Sequence, residues 1–182
     1  MDRKRNHRAV STVTAIAVGL VMVVTGAAFA NDVGIGNATA TVATALAITT
    51  PADLDFGTVY AGVAKTQAKD AAGAGVFTVT GQPAQPFQAF LNLPEYLWDN
   101  TSKQRLDLTF TDTDAGLDLT GNATPASYVG ADFDPRNLGS ITIAAGQTTA
   151  NIFLGGKVTP KAYQASGTYT ADIVLTVWYE GD

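Results

Sequence analysis

Asp112, Asp114, Gly116 and Asp118 set side-chain oxygens at alternate positions around a glycine, the loose outline of a calcium loop. Calcium takes about six to eight oxygens, and an EF-hand loop opened at Asp112 would put Ala123 where the closing glutamate belongs. A solvated acidic turn is the better reading. Two carboxylate pairs, Asp132 with Asp134 and Asp53 with Asp55, are of the type glycoside hydrolases use. That chemistry requires two acids facing each other across a cleft, whereas aspartates this close in one loop usually shape turns. Asp53 reads as a turn residue, and Asp55 as the outward position between Leu54 and Phe56 on a strand. Pro94 to Asp99 brings Tyr96 and Trp98 into one apparent loop, and exposed rings of this kind stack on sugars. In a small sandwich such rings more often fill the core, each burying about 150–250 Å².

Nucleophilic and metal chemistry is narrowed further by the N-terminus. Arg3, Lys4, Arg5 and Arg8 precede an apolar run from Val10 to Val24, and Ala28-Phe29-Ala30 forms a cleavage site. The run is shorter than the roughly 20 residues of a membrane-spanning helix, so residues 1–30 read as a signal peptide and no transmembrane segment is expected after cleavage. The only histidine, His7, leaves with it, and the chain has no cysteine. A mature chain starting at Asn31 therefore has no imidazole and no thiol. Cys/His dyads, Ser-His-Asp triads and the usual zinc ligand sets are excluded. We expect no enzyme, no catalytic residue, no metal and no cofactor. The leader also removes four of the eleven basic residues and one of the sixteen acidic ones, leaving 7 against 15 and a charge of −8. Nucleic acid and anionic lipid are disfavoured as partners.

The remaining residues, 31–182, form one domain's length, and their pattern is that of strands. Short segments alternate with period two between clusters of Gly, Pro, Asn and Asp, the signature of a sandwich or barrel. In the last of them Tyr169, Ala171, Ile173, Leu175, Val177 and Tyr179 share one face. Leu54 to Val59, Val76 to Thr80, Phe87 to Leu91, Leu106 to Phe110, Ile141 to Ile143 and Asn151 to Val158 read the same way. Gly155-Gly156 marks a bulge or a close backbone approach in the last of these. At the front, Ala38, Ala40, Val42, Leu46 and Ile48 share a face of a Thr/Ala-rich strand. About eight strands are expected. The final strand has no later segment to pair with, and Asp172 is its only charge between Gly167 and Tyr179. Unless an earlier strand of the domain flanks it on each side, an edge this long and apolar templates association with another chain.

Ala38 to Ile48 followed by Leu54-Asp55-Phe56-Gly57-Thr58-Val59, then Gly155-Gly156, then Gly167-Thr168-Tyr169 running to Val177-Trp178-Tyr179, together resemble the bacterial secreted "domain of unknown function 4402" family. More distantly, the chain resembles chaperone-usher pilins and spore-coat-U-like domains, without the pilin disulfide. In pilins a glycine and a near-terminal tyrosine bracket the final strand, as Gly167 and Tyr179 do here. The resemblance implies an all-β, Ig-like (pilin-like) antiparallel β-sandwich lacking one strand. That strand would come first from a periplasmic chaperone, working with an outer-membrane usher, and then from the next subunit. The acceptor edge would be Gly167, Tyr169, Ile173, Leu175, Val177 and Tyr179. The donor, residues 31–42, would present Val33, Ile35, Ala38, Ala40 and Val42, whose apolar frame shifts across Gly36. These expectations describe an exported structural subunit, passing through the periplasm to a fimbria-like filament or surface coat and partnered by copies of itself. The rival is a monomeric surface or periplasmic carbohydrate-binding module.

Overall fold

The structure, a computed structural model, describes residues 35–181. The leader 1–30 and the candidate donor residue Val33 lie outside the described residues. The chain divides into two units, Met1–Ala40 and Thr41–Asp182. In the first, residues 35–40 carry no regular element. Every strand among the described residues, twelve in all, lies in the second.

Twelve strands follow one another: β1 (Ala47–Ala52), β2 (Lys65–Gln67), β3 (Gly75–Thr80), β4 (Pro86–Asn92), β5 (Tyr96–Asp99), β6 (Gln104–Thr109), β7 (Ala115–Asp118), β8 (Ala131–Phe133), β9 (Ser140–Thr142), β10 (Thr149–Leu154), β11 (Gly156–Thr159) and β12 (Val174–Tyr179). All pair antiparallel, in the orders β1-β3-β10-β7-β8, β2-β11-β6-β5 and β12-β4-β9. An isolated bridge from Trp98 to Thr170 joins the second and third sheets. Together these two face the five-stranded sheet across one core, to which Val79, Ile152 and Leu154 contribute from one side and Phe87, Leu106, Leu108 and Val158 from the other. The molecule is an all-β antiparallel sandwich, the class its alternations predict.

Burial follows the alternation. Phe87, Ala89 and Leu91 of β4 and Leu106 and Leu108 of β6 point inward between polar or exposed neighbours, as expected of sheets with one wet face. β10, central in its sheet, is buried on both faces. Its outward Phe153 is covered by the Tyr128 ring, centroids 5.3 Å apart. At Gly155 the chain leaves the first sheet for the second, and a Cβ there would stand 2.5 Å from the Gln67 carbonyl oxygen and 2.7 Å from the Lys69 nitrogen. The glycine pair thus marks a close approach.

Several expectations need correction. The front strand runs from Ala47 to Ala52, not from Ala38 to Ile48, and no strand forms over residues 35–46. Pro51 lies inside β1 where the register slips against β3, a position an edge strand tolerates. Leu54 to Val59 belongs to no strand. It is a wall of chain held by Asp55 N–H on the Gly73 carbonyl at 2.8 Å and turned at Gly57 (φ +57°), whose N–H donates to Asp55 Oδ1 at 2.6 Å. Four short strands, β2, β5, β7 and β8, were not legible as such, which brings the count to twelve against about eight.

Candidate acceptor groove

β12 completes an inward-facing row that is only half covered. Leu175 is buried, whereas Tyr169, Ile173, Val177 and Tyr179 are partly exposed while packing on the core, and Ala171 is exposed. The reason lies in the pairing. β12 ends its sheet with β4 as its one strand neighbour among the described residues, from Val174 opposite Asn92 to Tyr179 opposite Phe87. Upstream, Thr170 and Trp98 exchange backbone hydrogen bonds of 3.0 and 2.8 Å, and downstream Glu180 N–H donates to the Pro86 carbonyl at 3.1 Å. Even-numbered residues therefore turn their backbone groups toward β4 and β5. By antiparallel alternation, the N–H and C=O groups of Ala171, Ile173, Leu175 and Val177 point to the open side.

Upstream of β12, at Ala171 and Ile173, that open side borders a groove of about 1090 Å³ between the 52–61 wall and residues 166–173. Leu54, Phe56, Leu97, Leu106, Tyr169 and Ile173 supply its apolar lining. Sequence reasoning missed the first four as one site. They come from three different segments, and only long-range pairing gathers them.

The two tyrosines at the ends of this run pin it in place. Tyr169 Oη donates to the Ala165 carbonyl and accepts from Gln164 Nε2, both at 2.8 Å. Tyr179 Oη donates to the Thr44 carbonyl at 2.6 Å and accepts from Gln82 N–H at 2.8 Å. Gly167 sits against a carboxylate, since a Cβ there would meet Asp99 Oδ2 at 2.5 Å. Buried Asp99 accepts from the Ser102 hydroxyl and from the Thr101 and Ser102 N–H groups at 3.0 Å. The Ser102 hydroxyl first, then those N–H groups, hold its carboxyl below the usual value of 3.8. A lowered native value contributes stability that is fully present above the unfolded value and is lost as pH falls through the native one. The melting temperature of Asp99→Asn should therefore lie below that of the parent by a constant gap above about pH 5 and converge on it toward pH 2. A gap that widens with acid would contradict this.

Of the candidate donor residues, Ile35, Ala38, Ala40 and Val42 lie in chain without strand structure and are exposed, Ile35 and Val42 at 92% each. The acidic constellations resolve into turns and strand. Asp114 accepts from Thr111 N–H at 2.6 Å, and Asp118, on β7, accepts from the N–H groups of Thr120 and Asn122 at 2.8 and 3.1 Å. Asp132 pairs with Lys69 at 3.0 Å, and Asp134 accepts from Arg136 N–H at 2.9 Å. Among the described residues no three acids or histidines gather in a way that could hold a metal ion. Tyr96 and Trp98, read as a loop, lie on β5 with their rings on the outer face.

Comparison with protein-family models gives no match to the chain, and comparison with curated proteins gives none either.

Proposed function

We propose that the protein is a structural subunit of an extracellular fimbria-like filament or surface coat, exported by its leader and assembled by β-strand donation. The supporting observation is the one-sided pairing of β12: a row of outward backbone donors and acceptors, with a partly apolar groove beside its upstream end at Ala171 and Ile173, is the kind of template that β-augmentation uses. The donor in this reading is the segment 31–42 of a neighbouring copy. At about 3.3 Å per residue its extended length is about 40 Å, the same as that of the edge from Gly167 to Tyr179. Its backbone would supply the missing ladder, and Ala38, Ala40 and Val42 would enter the groove as small apolar plugs. A periplasmic chaperone would hold the edge in transit, and an outer-membrane usher would pass subunits to the surface.

The mature protein should run on unheated SDS gels as a ladder of oligomers that collapses on boiling, and deletion of residues 31–42 should abolish the ladder while leaving a folded monomer. A stable monomer whose melting is unchanged by that deletion would sink the proposal and leave the monomeric module.

A further inference from the structure

Trp98 and Trp178 are the only tryptophans of the chain, and strand parity places both on one face. Even-numbered positions of the run ending in β12 point away from the core. Thus Val174 and Trp178 share the outer surface with Phe90, which lies opposite Thr176, and with Trp98, which lies opposite Thr170. Tyr96, two residues before Trp98 on β5, joins them. These five are 38 to 52% exposed on the face turned away from the core. From the level of Trp98 to that of Trp178 is eight residue steps, about 27 Å at the rise of a strand. Phe90 sits diagonally between Val174 and Trp178, in reach of both.

Hydrogen-bonding groups interleave with the rings. Gln88 stands opposite Trp178 and donates to Glu180 at 2.7 Å. Asn92 stands opposite Val174. Asn100 accepts from Trp98 Nε1 at 3.3 Å, and the Arg105 guanidinium lies 5.2 Å from the centre of the Tyr96 ring.

Area and charge select the occupant. With about 150–250 Å² per aromatic side chain, the exposed parts of these residues offer roughly 400 Å² of apolar surface. That is about half the 800 Å² each partner contributes to a stable protein interface, too little for a second copy held by this face alone. Arg105 and Lys103, the latter sharing Asn100 Oδ1 with Trp98, are outnumbered by Asp107, opposite Tyr96, and by Asp172 and Glu180 at even positions of the run ending in β12, which disfavours an anionic ligand. A ligand matched to the row is narrow, extended and uncharged, with polarised C–H faces for the electron-rich ring faces and hydroxyls for the amides and carboxylates. We propose that the outer face of β4, β5 and β12 binds a neutral polysaccharide chain lying along the row from Trp98 to Trp178. This site is separate from the groove, and it stands or falls independently of strand donation.

With no third tryptophan in the chain, intrinsic fluorescence reads the face directly. Titration of the mature protein with cellohexaose, chitohexaose and laminarihexaose should give a saturable emission change with at least one of them. Trp178→Ala and Phe90→Ala should each weaken that binding at least tenfold, with melting and the SDS-resistant ladder preserved. Val174→Thr, a gentler change at the same surface, should weaken it two- to fivefold and guards against loss by misfolding. No emission change with any of the three sugars would overturn the proposal, as would a titration unaltered by all three substitutions. So would substitutions that alter filament bundling and leave the sugar titration untouched, which would make this a protein contact.

Discussion

Proline at position 171 is expected to abolish the SDS-resistant ladder and leave the fold intact, whereas proline at position 176 damages the fold itself. The difference is one of parity. The Thr176 N–H faces β4, opposite Phe90, so removing it breaks a ladder bond inside the sheet and strands a carbonyl, at about 1–3 kcal/mol, with the ring clashing in addition. The Ala171 N–H faces the open side, and no backbone partner for it exists among the described residues. Its side chain is exposed, and an edge position pointing away from its neighbour is where strands accept proline. Its stability should therefore stay within about 0.5 kcal/mol of the parent, as for ordinary surface changes. The effect should appear where a donor strand would have bonded. Melting curves and unheated gels of Ala171→Pro and Thr176→Pro separate the two roles. If Ala171→Pro still forms the full ladder, the open edge is not the acceptor.

Gly155→Ala should be among the most destabilising single-methyl additions in the chain, at roughly 3 kcal/mol. Overpacking usually costs about 1–3 kcal/mol, and here the neighbours cannot yield. The added carbon would meet backbone atoms of Gln67 and Lys69 at 2.5 and 2.7 Å; Gln67 is held in β2 by its pairing with Gly156 of β11, and Lys69 lies just beyond it. Gly155 N–H is also committed, to the Asp114 carbonyl at 2.8 Å, so the chain cannot swing aside without losing that bond. Gly146 provides the contrast. Its φ is +84° and nothing lies within 4 Å of an added Cβ, so alanine there costs only the left-handed backbone penalty, about 1 kcal/mol. Urea unfolding of both variants tests the ranking, and equal midpoints would refute the close-approach account.

Strands facing the single core announce themselves in sequence. Phe87-Ala89-Leu91 and Leu106-Leu108 alternate because one side of each is water. What escaped reading did so for identifiable reasons. β7 is covered on both faces, with Ala115 and Asp118 nearly inaccessible, and it follows the turn that carries Asp112 and Asp114 directly, so its start was hidden in a run that reads as a solvated acidic turn. β5 follows Pro94 so closely that its two rings looked like a loop. Leu54 to Val59 shows the converse case. It alternates because Leu54 and Phe56 face the groove, yet it has no ladder, since apolar alternation reports a covered face and is silent about backbone partners. The final strand was readable from its own residues only in part: the alternation from Tyr169 to Tyr179 announced it, yet β12 forms only from Val174, with an isolated bridge at Thr170 upstream. The groove beside it was not readable, because its lining depends on which distant segments remain unpaired.

A subunit with one open margin and one tail meets its neighbours through two unlike surfaces. Contacts of that kind close into rings only when the rotation between neighbours divides a full circle, and otherwise continue indefinitely. A polymer built through the unpaired side of β12 would therefore have unlike ends, one with a vacant slot and the other with a free tail, and would lengthen without branching. Any cap would have to recognise only one of those ends.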